Sequence, residues 1–251
     1  MKLQFHSDGP ALIVHNRTRV LVVADLHFGI ETDLARHGWH FSSRSAERLK
    51  RVCACVANTA PDLLILLGDV KHSIPSTTRQ EFLEIPDILS ALRDLVPVRI
   101  MPGNHDVGIR RFLQEGELLP KNGTVIDGVA YIHGHTRPAP GLLGHLIIAG
   151  HHHPLVSLYD EVGCSLRAPA YLLAEIDEAR LSPGQKNKMR KKTRVLFMPA
   201  FNECAGFDIL EITRHPFSPL SRSICNDRAE VFLADGTYVG PVSALEDNVT
   251  A

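Results

Sequence analysis

Apolar residues along this chain come in short runs at positions 11–14, 20–24, 63–67, 98–101, 129–132, 146–149 and 195–198, unbroken except for Arg99 in the fourth. Each run has the length of a strand and is rich in Val, Ile and Leu. A continuous run, as opposed to strict alternation, suits a strand buried on both faces. Between the early runs the period changes. Leu49, Val52 and Val56 recur at helical spacing within 45–57. Thr78 and Glu81 form a capping-box pair that opens a helix with a stripe of Phe82, Ile85, Leu89 and Leu92. Pro86 is expected to kink or restart that helix. Strands alternating with helices predict an α/β sheet. The later half has more strands and fewer helices. Residues 175–194 are polar and poorly periodic and read as a loop excursion, and 240–251 as a flexible tail.

Composition changes this picture little. The 251 residues are 44% hydrophobic and 22% charged, ordinary for a globular chain. No long Gly/Ser-rich or Pro-rich linker divides them, so residues 1–251 are expected to form one domain. The formal net charge of −1 implies no global attraction to nucleic acid or membrane. The first eight residues lack the apolar core of a signal peptide, and the longest apolar runs are too short to span a bilayer. The cytoplasm is the expected compartment. Five cysteines without CxxC spacing read as reduced structural thiols. One local charge cluster stands out: Lys186, Lys188, Arg190, Lys191, Lys192 and Arg194. It reads as a solvated loop or, more sharply, as a track for a nucleic-acid backbone. It has no aromatic residue for stacking on bases.

Histidine is the informative residue. There are 14, and many sit beside Gly, Asp or Asn at the ends of apolar runs. Five runs lead into polar residues: 20–24 into Asp25-Leu26-His27, 63–67 into Gly68-Asp69, 98–101 into Pro102-Gly103-Asn104-His105-Asp106, 129–132 into His133-Gly134-His135, and 146–149 into Gly150-His151-His152-His153. Ligands of open α/β sheets gather at the carboxyl ends of strands, so these groups converge if the strands share one core. Carboxylate, amide and imidazole donors together suit Mn, Fe, Zn or Ni better than Ca or Mg. A metal pair about 3.5–4 Å apart clamps the attacking and leaving oxygens of a phosphate ester.

The ordered set D-x-H, G-D, G-N-H-D, H-G and G-H-x-H, spanning residues 20–154, resembles the calcineurin-like metallophosphoesterase family. The resemblance implies a two-sheet α/β/β/α sandwich and a pair of divalent transition metal ions, manganese foremost, with nickel, iron or zinc as alternatives. It implies Asp25, His27, Asp69 and His153 on one ion and Asp69, Asn104, His133 and His151 on the other, with Asp69 bridging. His105 would be the general acid or phosphate-binding group, oriented by Asp106. The segments at 68–73, 133–138, 150–154 and 199–207 are similar to bacterial and archaeal phosphoesterases encoded near DNA ligases or helicases. By association this implies a phosphodiester substrate, DNA or RNA, and a helicase or DNA ligase partner. The rival readings are a small-molecule phosphomonoesterase or cyclic-nucleotide phosphodiesterase, and a non-catalytic scaffold. The roles of His72 and His135 stay open. His152, in place of the more usual threonine, is expected to point away from the ions or to pack behind their ligands, with competition for a ligand role as the alternative, and Asn202 and Glu203 read as either pocket rim or turn.

Overall fold

A computed structural model describes residues 1–6, 9–159, 165–181, 183, 184 and 191–247. All seven apolar runs fall on strands, with Ala24 and Met198 just past the ends of theirs. Lys2–Phe5 (β1), Ala11–His15 (β2), Arg19–Val23 (β3), Leu63–Leu67 (β4) and Val98–Met101 (β5) form a sheet in the order β1-β2-β3-β4-β5. Its β3, β4 and β5 are parallel. A second sheet contains Thr124–Ile126 (β6), Val129–Ile132 (β7), Leu146–Ala149 (β8), Pro154–Tyr159 (β9), Ser165–Ile176 (β10), Arg194–Phe197 (β11) and Phe207–Asp208 (β12) in the order β12-β9-β10-β11-β8-β7-β6. Ile224–Leu233 (β13) and Tyr238–Pro241 (β14) extend it from β10. Its β7, β8 and β11 run parallel.

The unbroken runs are explained by what lies on each face. Leu12, Val22, Ile65 and Leu67 of the first sheet pack on Tyr131, Ile148, Tyr171 and Leu196 of the second. The opposite face of the first sheet, with Ile13, Leu21, Leu64 and Leu66, packs on helices Ser45–Thr59 (α2) and Arg79–Arg93 (α3). A short helix, Ile30–Arg36 (α1), precedes them. The outer face of the second sheet packs on Glu178–Leu181 (α4), Ile209–Arg214 (α5) and Val242–Asp247 (α6). The layers are α/β/β/α, as the family resemblance implies. The parallel strands β4, β7 and β8 bury side chains on both faces, which is why their runs are unbroken.

Four expectations are corrected. The helix opened by the Thr78–Glu81 capping box passes through Pro86 without a break, because Pro86 is on the solvent face, where water can take the carbonyl that loses its N–H partner. Phe82 is exposed and Glu81 is buried in its stead. The expected excursion at 175–194 begins with the end of β10 and the helical turn α4, anchored by buried Ile176 and Leu181; Lys186, Lys188 and Arg190 lie outside the described residues. Of the expected tail at 240–251, residues 240–247 instead contribute the end of β14 and α6, whose Val242 and Leu245 are buried; residues 248–251 lie outside the described residues. No helix among the described residues is long and apolar enough to cross a membrane.

Candidate metal centre

The loops after β3, β4, β5, β7 and β8 meet at one end of the two sheets. Asp25, His27, Asp69, His151 and His153 all have positive φ, between 44° and 70°. That left-handed region costs a residue with a Cβ of the order of 1–3 kcal/mol. The turns are held by their neighbours. Asp25 N donates to Gly68 O at 3.1 Å and His27 N to Asp69 O at 2.8 Å, tying the first loop to the second. Glycine is required where they cross: a Cβ on Gly68 would lie 2.2 Å from His133 Cδ2, and one on Gly103 2.0 Å from Asp69 Oδ1.

The side chains form two groups sharing one carboxylate. Donor atoms of Asp25, His27, Asp69 and His153 lie within 4.8 Å of one another, as do those of Asp69, His133 and His151. Asp69 Oδ2 lies 3.8 Å from His27 Nε2 and 3.5 Å from His133 Nε2, so it faces both groups. Asp25 Oδ1 is 2.9 Å from His133 Nε2 and 3.2 Å from His153 Nε2, and His151 N donates to Asp25 Oδ2 at 3.0 Å. Asn104 lines the same cavity. Its Oδ1 is buried and accepts no hydrogen bond. A buried amide oxygen without a donor is costly, and a cation would satisfy it. Two carboxylates, four imidazoles and one orphaned amide oxygen make a donor set that fits a pair of transition metal ions.

The electrostatics suit ligation. Burial pushes the Asp25 carboxyl up, but His153 and His133 outweigh it and hold Asp25 well below the usual carboxylate range. Burial, with the neighbouring His153, keeps the His27 imidazole well below its ordinary value. Burial and His133 bring His151 down to about 2. Neutral imidazoles are the form that binds a metal. Burial would lower His133 too, but Asp69 and Asp25 together raise it.

The open histidines now have places. His135 Nδ1 lies 3.0 Å from His133 Nδ1, and His72 Nδ1 lies 3.2 Å from His27 Nδ1. In each pair the outer ring occupies Nδ1 of the inner one, leaving Nε2 toward the carboxylates; such partners fix the orientation of a metal-binding imidazole. His72 and His105 also cluster with His27 as a third group of donors. His152 points away from the cluster, as expected: its Nδ1 donates to Gly150 O at 2.9 Å and its Nε2 lies 2.7 Å from Ser218 Oγ.

His105 lines the cavity, its ring 5.0 Å from that of His27 and 5.2 Å from that of His72. The expectation that Asp106 orients it is corrected. His105 Nδ1 meets the His72 carbonyl, and His105 N donates to Asp69 Oδ1 at 2.8 Å. The Asp106 carboxylate instead accepts Gly103 N at 2.8 Å and Lys71 N at 3.2 Å. It holds two loop backbones together, and burial with the nearby Asp69 drives its pKa up to about 6.

Sequence reasoning did not find the staple made by Asn202. Its Nδ2 donates to Leu26 O at 3.0 Å, its Oδ1 accepts Cys204 N at 2.8 Å, and its own N donates to Asp25 O at 3.3 Å. Glu203 beside it is held by Arg44, Arg48 and Arg51 of the α2 region. Glu81 was read only as a cap. It also accepts His72 N and Ser73 N, at 2.9 and 2.6 Å, and so ties the turn after Asp69 to α3.

Comparison with known proteins agrees with this architecture. Residues 18–173 match the calcineurin-like phosphoesterase family. The chain belongs to that family, whose members use a binuclear divalent metal centre to hydrolyse phosphoesters. Among solved structures, the chain is similar to the Pseudomonas putida nuclease MPE at 20% identity, covering 93% of this chain and 96% of that one with a TM-score of 0.55. It also matches Yfce, a phosphoesterase from E. coli, at 17% identity over 56% of this chain and 73% of that one, with a TM-score of 0.36. No curated protein matches it.

Proposed function

We propose that this chain is a two-metal phosphodiesterase of nuclease type. The observation that carries the proposal is the pair of donor groups joined through Asp69. Asp25, His27, Asp69 and His153 would hold one ion, and Asp69, Asn104, His133 and His151 the other. Manganese is the first candidate and nickel, iron and zinc the alternatives. When bound, such a pair neutralises charge on the phosphoryl oxygens and supplies an activated water at neutral pH. The chain's own residues do the rest. His135 and His72 hold the His133 and His27 rings in register, and Asp106 and Asn202 lock the loops that carry the ligands. His105, on the cavity wall and held by the His72 carbonyl, binds the phosphate or gives a proton to the leaving oxygen.

The fold shared with a solved nuclease makes nucleic acid the first substrate to try. Metal stripping followed by reconstitution with Mn, Ni, Zn or Mg, and hydrolysis of oligonucleotides, cyclic nucleotides, mononucleotides and bis-aryl phosphates, tests the reading. Cleavage of diesters restored by added metal is the expected result. Hydrolysis confined to monoesters would refute the diesterase assignment. The subgroup resemblance extends the proposal to a helicase or DNA ligase partner; co-purification of either with the tagged chain is the corresponding test.

A further inference from the structure

The cavity over the donor groups, about 390 Å³, has two unlike sides. One consists of the histidines, Asp69 and Asn104. On the other stand Phe207 and Phe217, 50% and 41% exposed. Their rings lie 5.7 Å apart at 49°. Phe207 is 6.0 Å from the His153 ring and Phe217 is 5.6 Å from the His151 ring. The two phenylalanines therefore adjoin both donor groups.

Neither ring is a loose surface residue. Phe207 N donates to His153 O at 2.9 Å, and Phe207 pairs with Pro154 between β12 and β9. Gly206 makes this path available, since a Cβ there would sit 2.2 Å from Leu155 Cδ1. Phe217 stacks on the His152 ring at 5.0 Å and 28°, and His152 is fixed by Gly150 O and Ser218 Oγ. Two preorganised aromatic faces left half in water beside a reaction centre carry a cost that a planar ligand would remove.

The charge of the lining says which ligand. Among the described residues no lysine or arginine lines this cavity. A substrate with a second phosphate joined directly to the reacting one would find no counter-charge on this side, whereas a flat uncharged ring would find two aromatic faces. We infer that Phe207 and Phe217 form a stacking wall that takes the nucleobase adjoining the scissile phosphate. The inference rests on the phosphodiesterase reading and narrows it. Inside a duplex both faces of a base are covered by its neighbours, so only an unpaired or terminal base can offer a face to the wall. The substrate class is single-stranded or frayed-end nucleic acid.

The test compares oligothymidylate with an oligomer of abasic tetrahydrofuran units of equal length, using manganese-reconstituted enzyme. The parent should have the higher kcat/KM on the base-bearing chain. In Phe207→Ala and Phe217→Ala the ratio of the two kcat/KM values should fall roughly 5- to 100-fold, the worth of one base–aromatic stack. The loss should appear in KM for oligothymidylate, with two ions still bound per chain. Phe217→Tyr should keep the ratio and Phe217→Leu should lose it; the leucine variant preserves apolar volume, so it serves where the alanine variant folds poorly. A ratio near one in the parent, or the parent's ratio in every variant, would overturn the stacking wall while leaving the diesterase reading intact. A parent that cleaves neither oligomer but hydrolyses monoesters would instead remove the diesterase reading and the wall with it.

Discussion

The two ends of the second sheet carry charge of opposite kinds. At the strand ends, past Ile132 and Ala149, the chain brings His133, His151 and His153 to the buried carboxylates of Asp25 and Asp69. At the strand starts, Lys192 and Arg194 lie in the open, with Lys192 2.9 Å from Glu175 and Arg194 3.8 Å from Glu230. Arg194 opens β11 opposite Leu146, the first residue of β8. Three residue steps, about 10 Å of strand, separate that position from the residues that lead into His151 and His153. Exposed pairs of this sort are worth about 0.2–1 kcal/mol and fade in salt, whereas the buried donors depend on each other for satisfaction. The difference teaches that a cluster of like charges marks little by itself. What marks the reaction centre is polar residues placed where strands run out.

The largest effect should come from the shared carboxylate. Asp69→Asn should remove most bound metal and nearly all turnover, because a neutral amide bridges two dications poorly; two ions per chain at parental rate, by elemental analysis and initial-rate assay, would break the proposed assignment. Next comes His105→Ala. Turnover should drop roughly 10²–10⁴-fold, the usual value of acid–base assistance, with metal content still two. Loss of an ion would move His105 from the substrate to the metals. A smaller change is expected from His135→Phe, which removes the nitrogen facing His133 Nδ1 and keeps the bulk of the ring. Metal affinity should weaken about 10- to 100-fold, as read by competition with a chelator, and saturating metal should restore most of the rate. The smallest effect belongs to the other end of the sheet. Lys191→Ser with Lys192→Ser should leave hydrolysis of a small diester at the parental rate. If these lysines follow a nucleic-acid backbone, oligonucleotide binding in the parent should fall with salt at a log–log slope of about −0.7 to −0.9 per contact, and the double variant should flatten it. Identical slopes would reduce the segment to a solvated surface.

Much of the fold could be read from the sequence because its central strands are buried twice over. Val20 to Val23 and Leu64 to Leu67 leave no polar position to blur the pattern. Strands of mixed exposure were harder to see. β1 alternates between exposed and half-exposed residues, and β13 carries Asn226, Asp227 and Arg228 in succession at its exposed stretch. Their pairing depends on distant partners and not on local composition. The donor residues were legible for the same reason as the strands they follow: the structure gathers Asp25, His27, Asp69, His133, His151 and His153 into two groups and sets Asn104 and His105 on the wall of the adjoining cavity. The role of Asp106 was not, since a carboxylate next to a histidine in sequence can turn its oxygens to backbone N–H groups from two loops. Nor were Asn202, Phe207 and Phe217. Asn202 and Phe207 reach the site because 199–207 returns across the turn at Asp25 and beside β9, a contact between residues more than 150 positions apart in the case of Asn202 and Leu26, and Phe217 reaches it from the turn after α5, where its ring stacks on His152.

The five left-handed turns at Asp25, His27, Asp69, His151 and His153 have a consequence for descent. Glycine or asparagine sits in such a conformation with less strain than histidine does. At these positions, selection for a robust fold and selection for ion binding pull in opposite directions. A lineage released from the reaction should therefore exchange its histidines at 27, 151 and 153 for glycine or asparagine before its buried strands change. Retention of all five residues in those turns across descendants would be a record of continued use.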